Sequence, residues 1–290
     1  MQGRVVAAYG RRFEVELPDG RRLDCTVKGK RGGVACGDDV DVRESGDGGV
    51  IDSVAPRRSL LYRSDAFREK LIAANVTQAV IVLAPVPTFS EELLTRCLVA
   101  AEAKGVAALL VLNKADLEAP AAAAHGRLRL YEALGYPLVA ISARRDVAPL
   151  AARLRGHVNV LVGQSGMGKS TIVNALVPGA AAATAEHSAA LDSGRHTTSH
   201  ARLYHLSADT DLIDSPGMQE FGLHHVPAEE IGAAFPELRP HLGRCRFRNC
   251  RHLHEPDCAV AAAAAAGDID ERRLAIYRTL RREREGLRAG

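Results

Sequence analysis

Residues 158–177 read VNVLVGQSGMGKSTIVNALV, and the fold turns on how this stretch is understood. An aliphatic, strand-like run enters a glycine-rich turn, and the turn opens a segment with helical spacing. The turn holds Gly163, Gln164, Ser165, Gly166, Met167, Gly168, Lys169, Ser170 and Thr171, which contain G-x-x-x-x-G-K-S. Glycines at these positions let successive backbone N–H groups face an anion. Lys169 then neutralises charge on the outer phosphates, and Ser170 can ligate Mg²⁺. Strand before and helix after are the context this phosphate loop requires. It does not choose between ATP and GTP.

The choice falls to a stretch upstream, LLVLNKADLEA at 109–119. An Asp116 carboxylate can accept two hydrogen bonds, from N1–H and the exocyclic amine of guanine, whereas adenine presents an acceptor at N1 and is repelled. Asn113 would fix this loop, and the aliphatic stem of Lys114 would cover the base. The segment directly follows a buried strand, so it lies at the carboxyl edge of a sheet, where such folds bind ligands. YPLVAISARRD at 136–146 adds Ser142 and Ala143, where a backbone N–H can donate to guanine O6.

Two further pieces are expected of a GTPase. LIDSPG at 212–217 ends a strand with D-x-x-G, so Asp214 can hold the Mg²⁺ hydration shell and the Gly217 amide can meet the outer phosphate. Between the two lies LDSGRHTTSHARLY at 191–204, in which Thr197 or Thr198 could complete the Mg²⁺ shell. The order is therefore base clamp, Ser-Ala, phosphate loop, switch threonine, D-x-x-G, a rotation of the usual order. Joining the old termini and cutting after D-x-x-G leaves a packed sheet unchanged, because termini of such domains lie at the surface. The rotation does alter the downstream connection: past Gly217 the chain runs straight into a cysteine-rich segment, so nucleotide-dependent movement of that segment is expected.

Outward from this core, the first sixty residues alternate apolar and polar in short runs, RVVAAY, RFEVEL, LDCTVKG, DVDVRES and GVIDSVAP, separated by Gly and Asp turns. This texture predicts a small barrel. From about Gln78, aliphatic strands alternate with helical stretches, which predicts a mostly parallel sheet covered on both faces. The end of the chain places Leu274, Tyr277 and Leu280 at helical spacing in a terminal amphipathic helix, and the run AVAAAAAA from Ala259 is a second helix. Boundaries are read at 1–64, 65–224 and 225–290.

With 47% hydrophobic residues the chain can bury a sizeable core. A net charge of +3 is too balanced to argue for nucleic acid by itself, so local clusters must carry that argument. No apolar run spans a bilayer and no signal-peptide core is present at the start, so the expected compartment is the cytoplasm. In a reducing compartment, clustered cysteines point to metal. Cys245, Cys250, His252 and Cys258 give C-x4-C-x-H-x5-C, the donor number for a closed tetrahedral Zn²⁺ site, with His254 as a rival imidazole. Between Leu238 and His254 there are five arginines and no acid, a surface suited to a phosphate backbone.

Taken together, NKAD, GQSGMGKS, GRHTTSHA, DSPGMQEFGL and the cysteine cluster resemble, over nearly the whole length, the circularly permuted GTPases of the bacterial RsgA (YjeQ) family. The resemblance implies a multidomain chain: an N-terminal β-barrel of OB-fold type, a central α/β P-loop GTPase domain in permuted order, and a C-terminal zinc-binding and helical domain. It implies GTP hydrolysis stimulated by the small ribosomal subunit, action in that subunit's maturation, contact with its rRNA, Zn²⁺ and Mg²⁺ as cofactors, and a monomer without membrane attachment. An RNA-contacting barrel would require the acidic run DDVD at 38–41 to face elsewhere. Many GTPases place a water-orienting Gln directly after D-x-x-G. Here Met218 stands there and Gln219 is one residue out of register, so His196, beside the threonines and similarly placed in the family, is the expected catalytic group. Two rivals remain at this level: an RNA-binding protein that holds GTP as a structural ligand, and a P-loop ATPase or kinase with an accidental NKAD.

Overall fold

The alternating segments at the start form five strands: β1 (Gln2–Tyr9), β2 (Arg12–Glu16), β3 (Arg22–Val27), β4 (Asp39–Ser45) and β5 (Gly48–Val54). The structure, a computed structural model, describes residues 1–27, 33–64, 69–180, 200–215, 223 and 226–286. β1 pairs with β2 and β4, β2 with β3, β3 in parallel with β5, and β5 with β4, which closes a five-stranded barrel with the strand order of an OB-fold. Val5, Phe13, Val15, Cys25, Val40, Val42 and Ile51 point inward and form a core of their own. A Cβ on Gly49 would lie 2.7 Å from Cys25 Sγ and 2.8 Å from Val42, so the approach of strands there requires glycine.

The acidic run at 38–41 does not sit on one face. Asp38 is fully buried, accepts the Ala35 N–H at 2.7 Å and pairs with Arg57 at 2.7 Å, so its charge is spent inside the barrel unit. Asp41 accepts the Ser53 hydroxyl at 2.6 Å. A hairpin of β6 (Leu60–Ser64) and β7 (Glu69–Ala74), which carries no separate signal in the sequence pattern, leads into the central sheet.

That sheet is built from β8 (Gln78–Leu83), β9 (Ala107–Leu112), β10 (Leu138–Ala140), β11 (Val158–Val162), β12 (Ala201–Ser207) and β13 (Thr210–Asp214) in the order β10-β9-β8-β11-β13-β12. All neighbours are parallel except the last pair. β8 and β13 are buried at every position, as strands covered on both faces must be. The covering helices are α1 (Glu91–Glu102), α2 (Glu118–Ala133), α3 (Ala148–Leu154) and α4 (Lys169–Leu176). Ala7 and Ala8 of β1 pair with Arg202 and Ala201 of β12, so barrel and central sheet are hydrogen-bonded into one eleven-stranded sheet. Arg4 pairs with Asp211 at 2.6 Å, and His205 lies between Asp211 (2.6 Å) and Glu16 (2.8 Å) at the same junction.

Beyond β13, among the described residues, three short 3-10 turns precede α5 (Ala259–Ala266) and α6 (Glu271–Arg284). Asp270 caps α6 by accepting from the N–H groups of Arg272 and Arg273. Leu274, Tyr277 and Leu280 are buried, as their spacing predicts, and pack with Phe235 and Leu238 into the core that underlies the central sheet. Arg273 is an unanticipated member: it is 1% exposed, pairs with Glu237 at 2.6 Å, donates to Thr95 Oγ1 at 2.9 Å, and lies over Phe235 at 4.6 Å. It ties the last helix to α1.

Candidate nucleotide site and metal cluster

The loops carrying the sequence motifs leave the carboxyl ends of β9, β10, β11 and β13, which places them at one edge of the sheet regardless of their order in the chain. Asn113 joins three of them. Its Nδ2 donates to the Met167 carbonyl at 3.0 Å, its Oδ1 accepts from the Ala143 N–H at 3.0 Å, and its own N–H donates to Leu83 at 2.8 Å. It is 2% exposed. The fit is close enough that a Cβ on Gly168, at φ +94°, would stand 2.3 Å from Asn113 Nδ2. Gly163, at φ +144°, faces the Val82 carbonyl, which a Cβ would meet at 2.4 Å. The phosphate loop and the base-reading loop thus specify each other.

Lys114 holds a left-handed backbone, φ 61°, uncommon for a residue with a side chain and tolerated where neighbours over-determine it. Its Nζ donates to Val86 at 2.7 Å and Gly166 at 2.8 Å, so its stem crosses from the base-reading loop to the phosphate loop. Asp116 is hydrogen-bonded by the Ser142 side chain, which holds its carboxyl below the usual range, with Arg145 and Arg144 adding attraction. A carboxylate kept anionic accepts hydrogen bonds only, as a guanine reader must.

At the phosphate end, Lys169 is 7% exposed and donates to Gly163 and Gln164 carbonyls at 2.7 and 2.9 Å. Burial lowers its pKa, and nearby Asp214 opposes that shift. Burial pushes Asp214 up to about 6 against the pull of Lys169. Ser170 and Thr171 open α4, and Met167 is buried beneath the loop. Two local supports carried no sequence signal. Gln164 Oε1 accepts the Ser90 N–H at 2.9 Å, and the Ser90 hydroxyl caps α1; Ser215 Oγ donates to Leu161 at 2.6 Å, holding the turn after Asp214 to β11. His196, Thr197, Thr198 and Ser199, like Gly217, Met218 and Gln219, lie outside the described residues.

In the C-terminal part, one donor atom each from Cys245, Cys250, His252 and Cys258 lies within 4.8 Å of the others. His252 Nδ1 stands 3.4, 3.5 and 3.4 Å from the sulfurs of Cys245, Cys250 and Cys258, and Cys245 and Cys258 sulfurs are 3.9 Å apart. A zinc tetrahedron with ordinary bond lengths has N–S edges of about 3.6 Å and S–S edges of about 3.8 Å. The donor set therefore fits Zn²⁺ in number, type and spacing, and His252 rather than His254 completes it among the described residues. His252 and Asp257 take positive φ, 59° and 54°, to bend the loop round this centre. Burial would raise the Glu255 carboxyl, but N–H groups including those of Arg251, Leu253 and His254 bring it down to about 2. Tyr277 Oη donates to the Arg251 carbonyl at 2.8 Å and seats the cluster on α6.

Motif loops of this kind on a rotated strand order define a P-loop GTPase of circularly permuted type, and two solved structures share the architecture. A crystal structure of YjeQ from Thermotoga maritima superposes with a TM-score of 0.73 at 29% identity, covering 99% of each chain. YloQ, described as a circularly permuted GTPase, gives 0.71 at 26%, covering 100% of this chain and 96% of its own. The model of the RsgA GTPase family matches residues 54–224, and the chain belongs to that family. Relatives named small ribosomal subunit biogenesis GTPase RsgA include that of Nitrosospira multiformis, 54% identical over 97% of this chain and 90% of its own. Another is that of Neisseria meningitidis serogroup B, 50% identical over 97% and 92%. The chain is accordingly a GTP hydrolase.

Proposed function

We propose that this GTPase acts in late maturation of the small ribosomal subunit, hydrolysing GTP to GDP and phosphate when stimulated by the subunit and using its nucleotide state to control binding and release. The names carried by its relatives support this reading. The observation that carries the nucleotide part is Asn113, whose side chain bonds the phosphate loop and the Ser-Ala loop together.

In this reading Asp116 selects guanine, Lys114 covers the base, and a backbone N–H of the Ser142–Ala143 loop meets O6, the Ala143 N–H itself being held by Asn113 Oδ1. The N–H groups of residues 163–171 and the Lys169 ammonium hold the phosphates. Ser170 with Thr197 or Thr198 would hold Mg²⁺, which offsets phosphate charge, and Asp214 would orient its hydration shell. His196 orients the attacking water where Met218 cannot, and the Gly217 N–H reports the outer phosphate. Cys245, Cys250, His252 and Cys258 would hold Zn²⁺ as a closed structural site.

The units at 1–64, 65–224 and 225–290 divide the labour: barrel and metal-held segment contact rRNA, and the middle unit turns over GTP. The protein works as a cytoplasmic monomer; among the described residues no helix is long and apolar enough to cross a membrane. The test is GTP turnover with and without purified small subunits, with ATP as control and His196→Ala in parallel. The expected result is stimulation for GTP alone, lost in the variant. Stimulation that survives in the variant removes His196 from the hydrolytic step. Subunit binding with flat wild-type turnover would instead favour an RNA-binding protein that keeps GTP as a structural ligand, the reading Met218 makes possible.

A further inference from the structure

Among the described residues four large hydrophobic side chains are exposed, and Phe247, 42% exposed, is the aromatic one. It lies in the loop between Cys245 and Cys250, both members of the four-donor cluster. The two ends of this short loop, Cys245 and Cys250, pack against the core, while the ring between them does not. The Arg246 guanidinium lies over the ring, 5.6 Å from its centroid, and helps hold its orientation.

The charges around the ring differ from several others in this unit. Arg239 pairs with Glu102, Arg251 with Glu255 and Glu285, and Arg273 with Glu237. Arg246 reaches Asp257, but both side chains are more than half exposed (70% and 59%), and solvent screens such a pair. Arg244 and Arg248 are exposed and have no carboxylate partner among the described residues. A flat apolar ring and free guanidinium groups, carried on one rigid loop, match two features of a polynucleotide: the face of an unstacked base and the adjoining phosphates. A continuous duplex offers the phosphates but hides the base faces.

We infer that Phe247 is a base-stacking residue, reading an unpaired nucleobase of single-stranded or bulged RNA while Arg244 and Arg248 hold the flanking phosphates. The inference rests on the rRNA-binding reading above and adds the kind of RNA that this loop selects.

The test uses the full-length protein, wild type and the variants Phe247→Ala, Phe247→Trp and the double variant Arg244→Ala/Arg248→Ala. The probes are a short unstructured RNA carrying 2-aminopurine, an RNA duplex of equal length, and purified small ribosomal subunits. Binding is read by anisotropy across a salt series, stacking by 2-aminopurine quenching. The wild type should prefer the single strand and quench the probe. Phe247→Ala should weaken single-strand binding by about 5- to 150-fold with an unchanged salt slope. Phe247→Trp should restore it, and the arginine variant should flatten the salt slope while quenching persists at low salt. Equal binding by wild type and Phe247→Ala, or no preference for the single strand, overturns the inference. So does loss confined to subunits with oligonucleotide binding intact, which would make the partner a protein. Zinc content and melting temperature, unchanged in Phe247→Ala because the ring is exposed, separate stacking from folding. GTP turnover on the same preparations separates the two readings. Quenching without subunit stimulation defeats only the maturation role, and stimulation without quenching defeats only the stacking.

Discussion

Asn113 bonds to Met167 and Ala143 across 54 and 30 residues of chain, whereas the four donors of the cysteine cluster all lie between residues 245 and 258. The first region is a product of the whole sheet: its loops meet because β9, β10, β11 and β13 end at one edge, so their order along the chain can be rotated without moving them. The second is local. Its loop is closed by short spans, bent by positive φ at His252 and Asp257, and gathers three sulfurs and one imidazole in a set that fits Zn²⁺. One region is assembled by elements far apart in the chain, the other by a short loop that carries its own donors.

The sharpest way to break that contrast is to remove the metal. Structural zinc contributes on the order of 10–16 kcal/mol of apparent binding energy in small domains. Cys258→Ser or a strong chelator should therefore release zinc and abolish amide protection through 245–258 in hydrogen exchange. GTP affinity should change by no more than a few-fold. Loss of GTP binding together with zinc would mean that the two regions are not independent.

The converse change is Asn113→Ala. It leaves the Met167 carbonyl and Ala143 N–H buried without their partner, at about 1–3 kcal/mol for each unmet group. GTP affinity should fall by roughly 30-fold or more, and zinc content should stay at the wild-type level; metal analysis with a nucleotide titration reads both. A smaller effect is expected from pH. Burial raises Asp214 to about 6, above its unfolded value, so its contribution to stability without nucleotide is fully present below the unfolded pKa and is lost as pH rises through 6. Work with Mg²⁺ needs the anion, so Mg²⁺-dependent GTP affinity should weaken as pH falls below about 6 and level off above it. Asp214→Asn should remove this pH dependence while the zinc segment is unaffected.

Much of the nucleotide edge is legible in sequence because each motif follows an aliphatic strand, and strand ends determine where loops gather. The five barrel strands, α5 and α6 follow equally from alternation and helical spacing. Contacts between elements distant in sequence are not legible. Nothing in the chain announces that Gln164 will accept the Ser90 N–H, that Arg273 will be buried against α1, or that Asp38 will turn inward to Arg57. Such pairings depend on which surfaces the fold brings together. β12 is hidden for another reason: its sequence, ARLYHLS, begins inside a polar loop, and five of its seven residues stay partly or fully exposed.

The most direct test of the account is nucleotide selectivity in Asp116→Asn. Xanthine carries a carbonyl where guanine has its exocyclic amine, so an amide that can donate suits xanthine and a carboxylate suits guanine. Competition binding with GTP, ATP and xanthosine triphosphate should show the wild type selecting GTP and the variant shifting to xanthosine triphosphate by one to two orders of magnitude or more, with ATP poor throughout. Unchanged GTP preference in the variant would contradict the base-reading role of Asp116, and with it the claim that the permuted loops assemble a guanine site.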